Sequence, residues 1–92
     1  MTELIRTRCK QGTLIITDEY IRTELPGGVQ QHTLYRTALT GIDSQMGAPS
    51  LFGLGGGTNL VFHGQGGEEL RADLVKPSVA KEIVGMLQHP QR

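Results

Sequence analysis

Through most of the chain, apolar and polar residues alternate with a period of two. From Leu4 to Lys10, the residues Ile5, Thr7 and Cys9 share one side, and Arg6, Arg8 and Lys10 the other. Leu14 and Ile16 oppose Thr13, Ile15 and Thr17, while Ile21, Thr23 and Leu25 oppose Tyr20, Arg22 and Glu24. The pattern returns with Leu60 and Phe62 against Asn59, Val61 and His63. It returns again with Leu70, Ala72 and Leu74 against Glu69, Arg71 and Asp73. Successive side chains of a strand point to opposite faces, so each run predicts a strand with one buried side. Turn residues separate the runs: Gly12, Asp18-Glu19, Pro26-Gly27-Gly28 and Gly64-Gln65-Gly66-Gly67. Such connections are too short for crossover helices, which predicts antiparallel pairing. Val29 to Gln45 reads as two further strands with a break near Arg36 to Thr40.

The period changes after Pro77. Val79, Ala80, Ile83, Val84, Met86 and Leu87 fall on one arc of a helical wheel, and Ser78, Lys81, Glu82, Gly85, Gln88 and His89 on the other. Proline suits the first turn, where its missing N–H has no partner to lose, and the helix is expected to stop near Gln88, before Pro90. Together these elements predict one mainly β domain over residues 1–92. About seven short antiparallel strands over residues 3–74 curl into a barrel or sandwich, and a C-terminal helix over 77–88 caps its open end.

A resemblance rests on several segments taken in order. Gly12-Thr13-Leu14-Ile15-Ile16-Thr17-Asp18-Glu19-Tyr20-Ile21 is similar to the second strand, turn and third strand of the small bacterial pleckstrin-homology-like domains. Leu34-Tyr35-Arg36-Thr37-Ala38-Leu39-Thr40-Gly41-Ile42 resembles a following strand of that family. Asn59-Leu60-Val61-Phe62-His63-Gly64 with Glu69-Leu70-Arg71-Ala72-Asp73 resembles its last hairpin. Val75-Lys76-Pro77-Ser78-Val79-Ala80-Lys81-Glu82-Ile83 resembles the join into the capping helix. Eukaryotic members usually carry a tryptophan in that helix, and this chain has none. The resemblance implies a pleckstrin-homology-like barrel, some of whose members bind lipid headgroups.

Composition narrows the functional classes. The chain has 92 residues, with nine Lys plus Arg against nine Asp plus Glu. The length excludes a separate substrate domain, and zero net charge lacks the electrostatic footprint of a nucleic-acid binder. A single cysteine, Cys9, makes no internal disulfide and reads as a small apolar residue; as a strand residue it has Arg8 and Lys10 on the opposite face. No apolar run exceeds three residues, as at Leu14-Ile15-Ile16, and Met1 to Lys10 holds no signal-peptide core. The expectation is a soluble, cytoplasmic protein.

Chemistry is thinly represented. Gly53-Leu54-Gly55-Gly56-Gly57-Thr58 lacks the Gly-Lys-Ser/Thr ending of a phosphate loop, and no helix start follows it. His32, His63, His89 and Cys9 have no metal-ligand spacing. No catalytic residue, metal or cofactor is therefore expected. Arg6, Arg8 and Lys10, with Arg22, form a candidate headgroup-binding edge, although Thr13 to Thr17 supplies no basic residue. A solvated charged edge that discourages strand pairing is the alternative.

From Thr37 to Gly67, Asp43 is the only charged residue. Met46, Leu51, Phe52 and Leu54 lie in this span and form a candidate interface, since interface centres are depleted in charge. A loop folded over the core explains the same span. The reading is a non-catalytic binding or assembly module acting through protein contacts, with homo-oligomers expected. An anionic lipid headgroup-binding domain is the alternative, and a small ligand-binding protein or enzyme the third.

Overall fold

The computed structural model describes residues 2–27, 30–46 and 57–88. Strands β1 (Glu3–Cys9), β2 (Gly12–Thr17), β3 (Tyr20–Glu24) and β4 (Gln31–Tyr35) form one sheet in that order. Strands β5 (Leu39–Met46), β6 (Thr58–Gly64) and β7 (Glu69–Val75) form a second, and helix α1 (Pro77–Gln88) follows. Every pairing is antiparallel. The mainly β fold with its C-terminal helix is the one the alternation predicts. A short helical turn at Arg36–Ala38 carries the chain between the sheets, where the break was expected.

The register sets which side chains face inward. Ile5, Ile16, Ile21 and Leu34 stand side by side across β1–β4, with Thr7, Leu14, Thr23 and His32 in a parallel row. Leu14, Ile16, Ile21 and Leu34 meet Leu60, Phe62, Leu70, Ala72 and Val75 of the second sheet in one core cluster. Helix α1 adds Ala80 and Ile83 to this cluster, with Val79, Val84, Met86 and Leu87 packed around it. Its Lys81, Glu82 and Gly85 are exposed. The helix therefore lies as its apolar stripe dictates, packed on β5 and β6.

A polar seam joins β1 to β7. The Lys10 N–H donates to the Asp73 carbonyl at 2.7 Å. The Gln11 carboxamide grips Asp73 twice: its Nε2 donates to Oδ2, and its Oε1 accepts the Asp73 N–H, both at 2.9 Å. The turn carrying these contacts ends at Gly12, whose φ of +130° suits glycine.

Two predicted core residues lie outside the core. Leu25 falls just past β3, where its N–H donates to the Gln30 carbonyl at 2.9 Å, and it is 41% exposed. Leu74 is 54% exposed because β7 carries a bulge. Thr58 pairs with Val75 and Leu60 with Ala72, so Asp73 and Leu74 together oppose Asn59. The Leu74 backbone turns to a φ of 59°, its N–H donates to Asn59 Oδ1 at 3.0 Å, and Val75 takes the core position instead. A period-two pattern does not register one inserted residue.

Candidate functional site

The outer face of the β1–β4 sheet carries the predicted basic edge, and its side chains are organised by register. Arg6, Ile15, Arg22 and Thr33 stand in one row across the four strands. Ile15 is only 4% exposed yet is absent from the core cluster. Its cross-strand neighbours on that face are Arg6 and Arg22, a residue type whose methylenes can lie over apolar surface while the charge stays in water.

The basic residues divide into two pairs. Arg6 is engaged by Glu3, with Arg6 Nη2 at 2.7 Å from Oε1. The hydrogen bond to Arg6 holds the Glu3 carboxyl below its usual range, and Glu3 raises Arg6 in return. Both groups sit in solvent, so this pair is sensitive to salt. Arg22 is half-buried: its guanidinium lies 4.2 Å from the Tyr20 ring centroid, and its Nε donates to Thr33 Oγ1 at 2.9 Å. Glu24 stands 3.9 Å from its other end. Arg8 and Lys10 make no ion pair among the described residues. Arg6 and Arg22 thus share a row and are already committed within the chain, while Lys10 lies at the β1–β2 turn against Asp73.

Beside this row lies an aromatic pair that the sequence pattern did not single out. Tyr20 and Tyr35 are directly opposite in register, with ring centroids 6.2 Å apart in an edge-to-face arrangement. Tyr35 is 58% exposed. Tyr20 and Arg22 sit two apart on one strand, so their shared face was readable; Tyr35 required the register of the β3–β4 hairpin. Tyr35 closes β4, the edge strand of its sheet. The β4 sequence, Gln31-His32-Thr33-Leu34-Tyr35, contains no Lys, Arg, Asp, Glu or Pro. Among the described residues its only backbone ladder partner is β3.

Of the predicted interface residues, Leu51, Phe52 and Leu54 lie outside the described residues, while Met46 ends β5 in register with Thr58. Cys9 is half-buried, and burial pushes its thiol above the usual range. That environment keeps it protonated at neutral pH, unlike a nucleophilic cysteine. His63 sits between carboxylates, with Nε2 2.8 Å from Asp43 Oδ2 and Nδ1 3.9 Å from Glu69 Oε2. Among the described residues, no cluster of His, Cys, Asp and Glu could hold a metal ion, and no helix is long and apolar enough to cross a membrane. No protein-family model, curated protein or solved structure matches this chain.

Proposed function

We propose that the chain is a non-catalytic assembly module that pairs with a second copy of itself through the β4 edge and the adjoining Tyr20–Tyr35 surface. The observation that carries this reading is an edge strand without charge or proline, ending in an exposed tyrosine. Edge strands ordinarily deter pairing with charges, prolines or bulges, and β4 has no charged residue, proline or bulge. Antiparallel pairing of two β4 strands about Thr33 is isologous and sets Tyr35 of each copy opposite Gln31 of the other. Arg22 and the two tyrosines supply the residue types that dominate binding energy at interfaces. Arg22 and Glu24 put charges of both signs on the neighbouring strand β3, and zero net charge spares the copies a long-range repulsion. The pleckstrin-homology-like resemblance belongs to the same proposal, supported by a four-stranded sheet, then a three-stranded sheet, then a terminal helix.

Light scattering across a concentration series tests this reading. The expected mass rises from one copy to two, and His32→Lys and Tyr35→Glu each weaken the dimer at least tenfold, or about 1.4 kcal/mol. A wild type that stays monomeric near millimolar concentration, or a dimer indifferent to both substitutions, contradicts it.

A second reading, docking on an anionic lipid surface, is favoured by one observation. Leu25 and Leu74, both exposed, flank the β1–β2 turn near Arg8 and Lys10. Gly12 backs onto Glu24–Leu25, and Lys10 bonds to Asp73 beside Leu74. On this reading, vesicles of phosphatidylserine in phosphatidylcholine retain the chain in a salt-sensitive manner, without preference for phosphoinositides, and Leu74→Glu abolishes retention. Passage of the wild type unretained at physiological salt removes this reading.

A further inference from the structure

The outer face of the β5–β7 sheet contains two adjoining depressions of about 340 and 190 Å³, and Asn59 and Arg71 line both. The larger extends to Asp43 and the smaller to Lys10, Asp73 and Leu74. The hydrogen-bonding balance along the shared wall is uneven. Asp43 is engaged by His63 at 2.8 Å. Asp73 has one carboxylate oxygen on Gln11 at 2.9 Å and the other on Arg71 at 3.4 Å. Asn59 spends its amide oxygen on the Leu74 N–H at 3.0 Å, and because that N–H is a donor, the carboxamide orientation is fixed. What Asn59 has left is its NH₂ group.

The larger depression also offers acceptors on Asp43, Ser44 and Gln45, but in the smaller one the uncommitted capacity among the described residues is mostly donor. It consists of the Asn59 NH₂, the Lys10 ammonium and an Arg71 guanidinium held only by one long contact. Arg71 is half-exposed, so its fork remains open to solvent. The bulge at Asp73–Leu74 builds this wall by setting two residues against Asn59. It does so at a cost in backbone strain, since Leu74 adopts a positive φ that a leucine rarely takes. A strained, non-glycine bulge is the kind of irregularity that re-aims side chains at binding sites.

We infer that this wall is a binding site for the oxyanion of a small ligand, a carboxylate or a phosphate, held by Arg71 with Asn59 and Lys10. A guanidinium offers paired N–H groups that match either anion, and the neighbouring amide and ammonium add charge-assisted or neutral donors around it. The larger depression falls in the range of small-molecule sites and accommodates the rest of such a ligand. This site lies on the second sheet, away from the β4 edge, so it does not depend on the pairing proposed above.

Amide chemical shifts of the full chain, titrated with sodium phosphate, sodium acetate and sodium chloride at matched ionic strength, provide the test. Saturable shifts at Asn59, Arg71 and Leu74 are expected with phosphate, acetate or both. Phosphate alone identifies a phosphorylated ligand class, and acetate alone a carboxylate. Arg71→Gln should weaken that binding at least tenfold, while Lys81→Gln on the exposed face of α1 leaves it unchanged. Chloride producing the same shifts, no saturation with either oxyanion, or binding indifferent to Arg71→Gln overturns the proposal. The wild-type titration decides the matter even if a variant folds poorly.

Discussion

Replacing Ile83 with alanine is expected to destabilise the chain by about 2–5 kcal/mol, measured by urea denaturation. Ile83 is fully buried and is one of two α1 residues in the central cluster, together with Ala80. Truncation removes apolar surface that the helix contributes to the core cluster above β5 and β6 and leaves a cavity that rigid strands cannot fill. Lys81, two positions earlier, points to solvent, so Lys81→Ala should stay within about 0.5 kcal/mol of the wild type. Equal losses at the two positions would mean that the helix does not pack by its stripe.

The second large effect concerns Gly12. Its φ of +130° is open to glycine and strained for any residue with a β-carbon, at about 1–3 kcal/mol. A methyl group there also runs into the Glu24 carbonyl oxygen, a backbone atom that cannot rotate away. Gly12→Ala should therefore cost about 3 kcal/mol or more, at or beyond the top of that range. Gly41 is the internal comparison, because a β-carbon there meets nothing within 4 Å. Gly41→Ala is expected to be neutral or to stabilise by up to about 1 kcal/mol. Both values come from the same unfolding series, and a mild effect at Gly12 would contradict the close approach of the β1–β2 turn to β3.

Much of this architecture follows from local rules. Ile5, Leu14, Ile16, Ile21, Leu60, Phe62 and Leu70 all keep the inward phase that alternation assigns. The stripe of α1 likewise places Ala80 and Ile83 where a helical wheel puts them. The pattern fails where long-range pairing adds or ends a residue. At Leu74 a bulge shifts the phase, and at Leu25 the strand has already stopped. Ile15 and Thr17 show the opposite failure. They are buried on the outer face, Ile15 between Arg6 and Arg22 in register and Thr17 with its hydroxyl accepting the Glu19 and Tyr20 N–H groups at 3.1 and 2.9 Å.

The candidate surfaces were less legible for the same reason. Arg6, Arg8, Lys10 and Arg22 were visible as a basic set, but only pair distances reveal that Glu3 and Tyr20 engage two of them. Tyr20 meets Tyr35, and Asn59 meets Leu74, across strand pairs separated by turns, so no local spacing announces either contact. Composition pointed to the uncharged span around Met46 instead, because charge depletion is a property of the chain, whereas an open sheet edge is a property of the topology.

Pairing of two copies through β4 would bring the two strands into contact, and a mixed sample of isotopically labelled and unlabelled chains reads that contact. Isotope-filtered nuclear Overhauser spectra report only contacts between copies. Cross-peaks joining Tyr35 ring protons of one copy to Gln31 of the other, centred on Thr33, are expected. Intermolecular cross-peaks confined to other surfaces, or none at concentrations near a millimolar, would contradict the pairing.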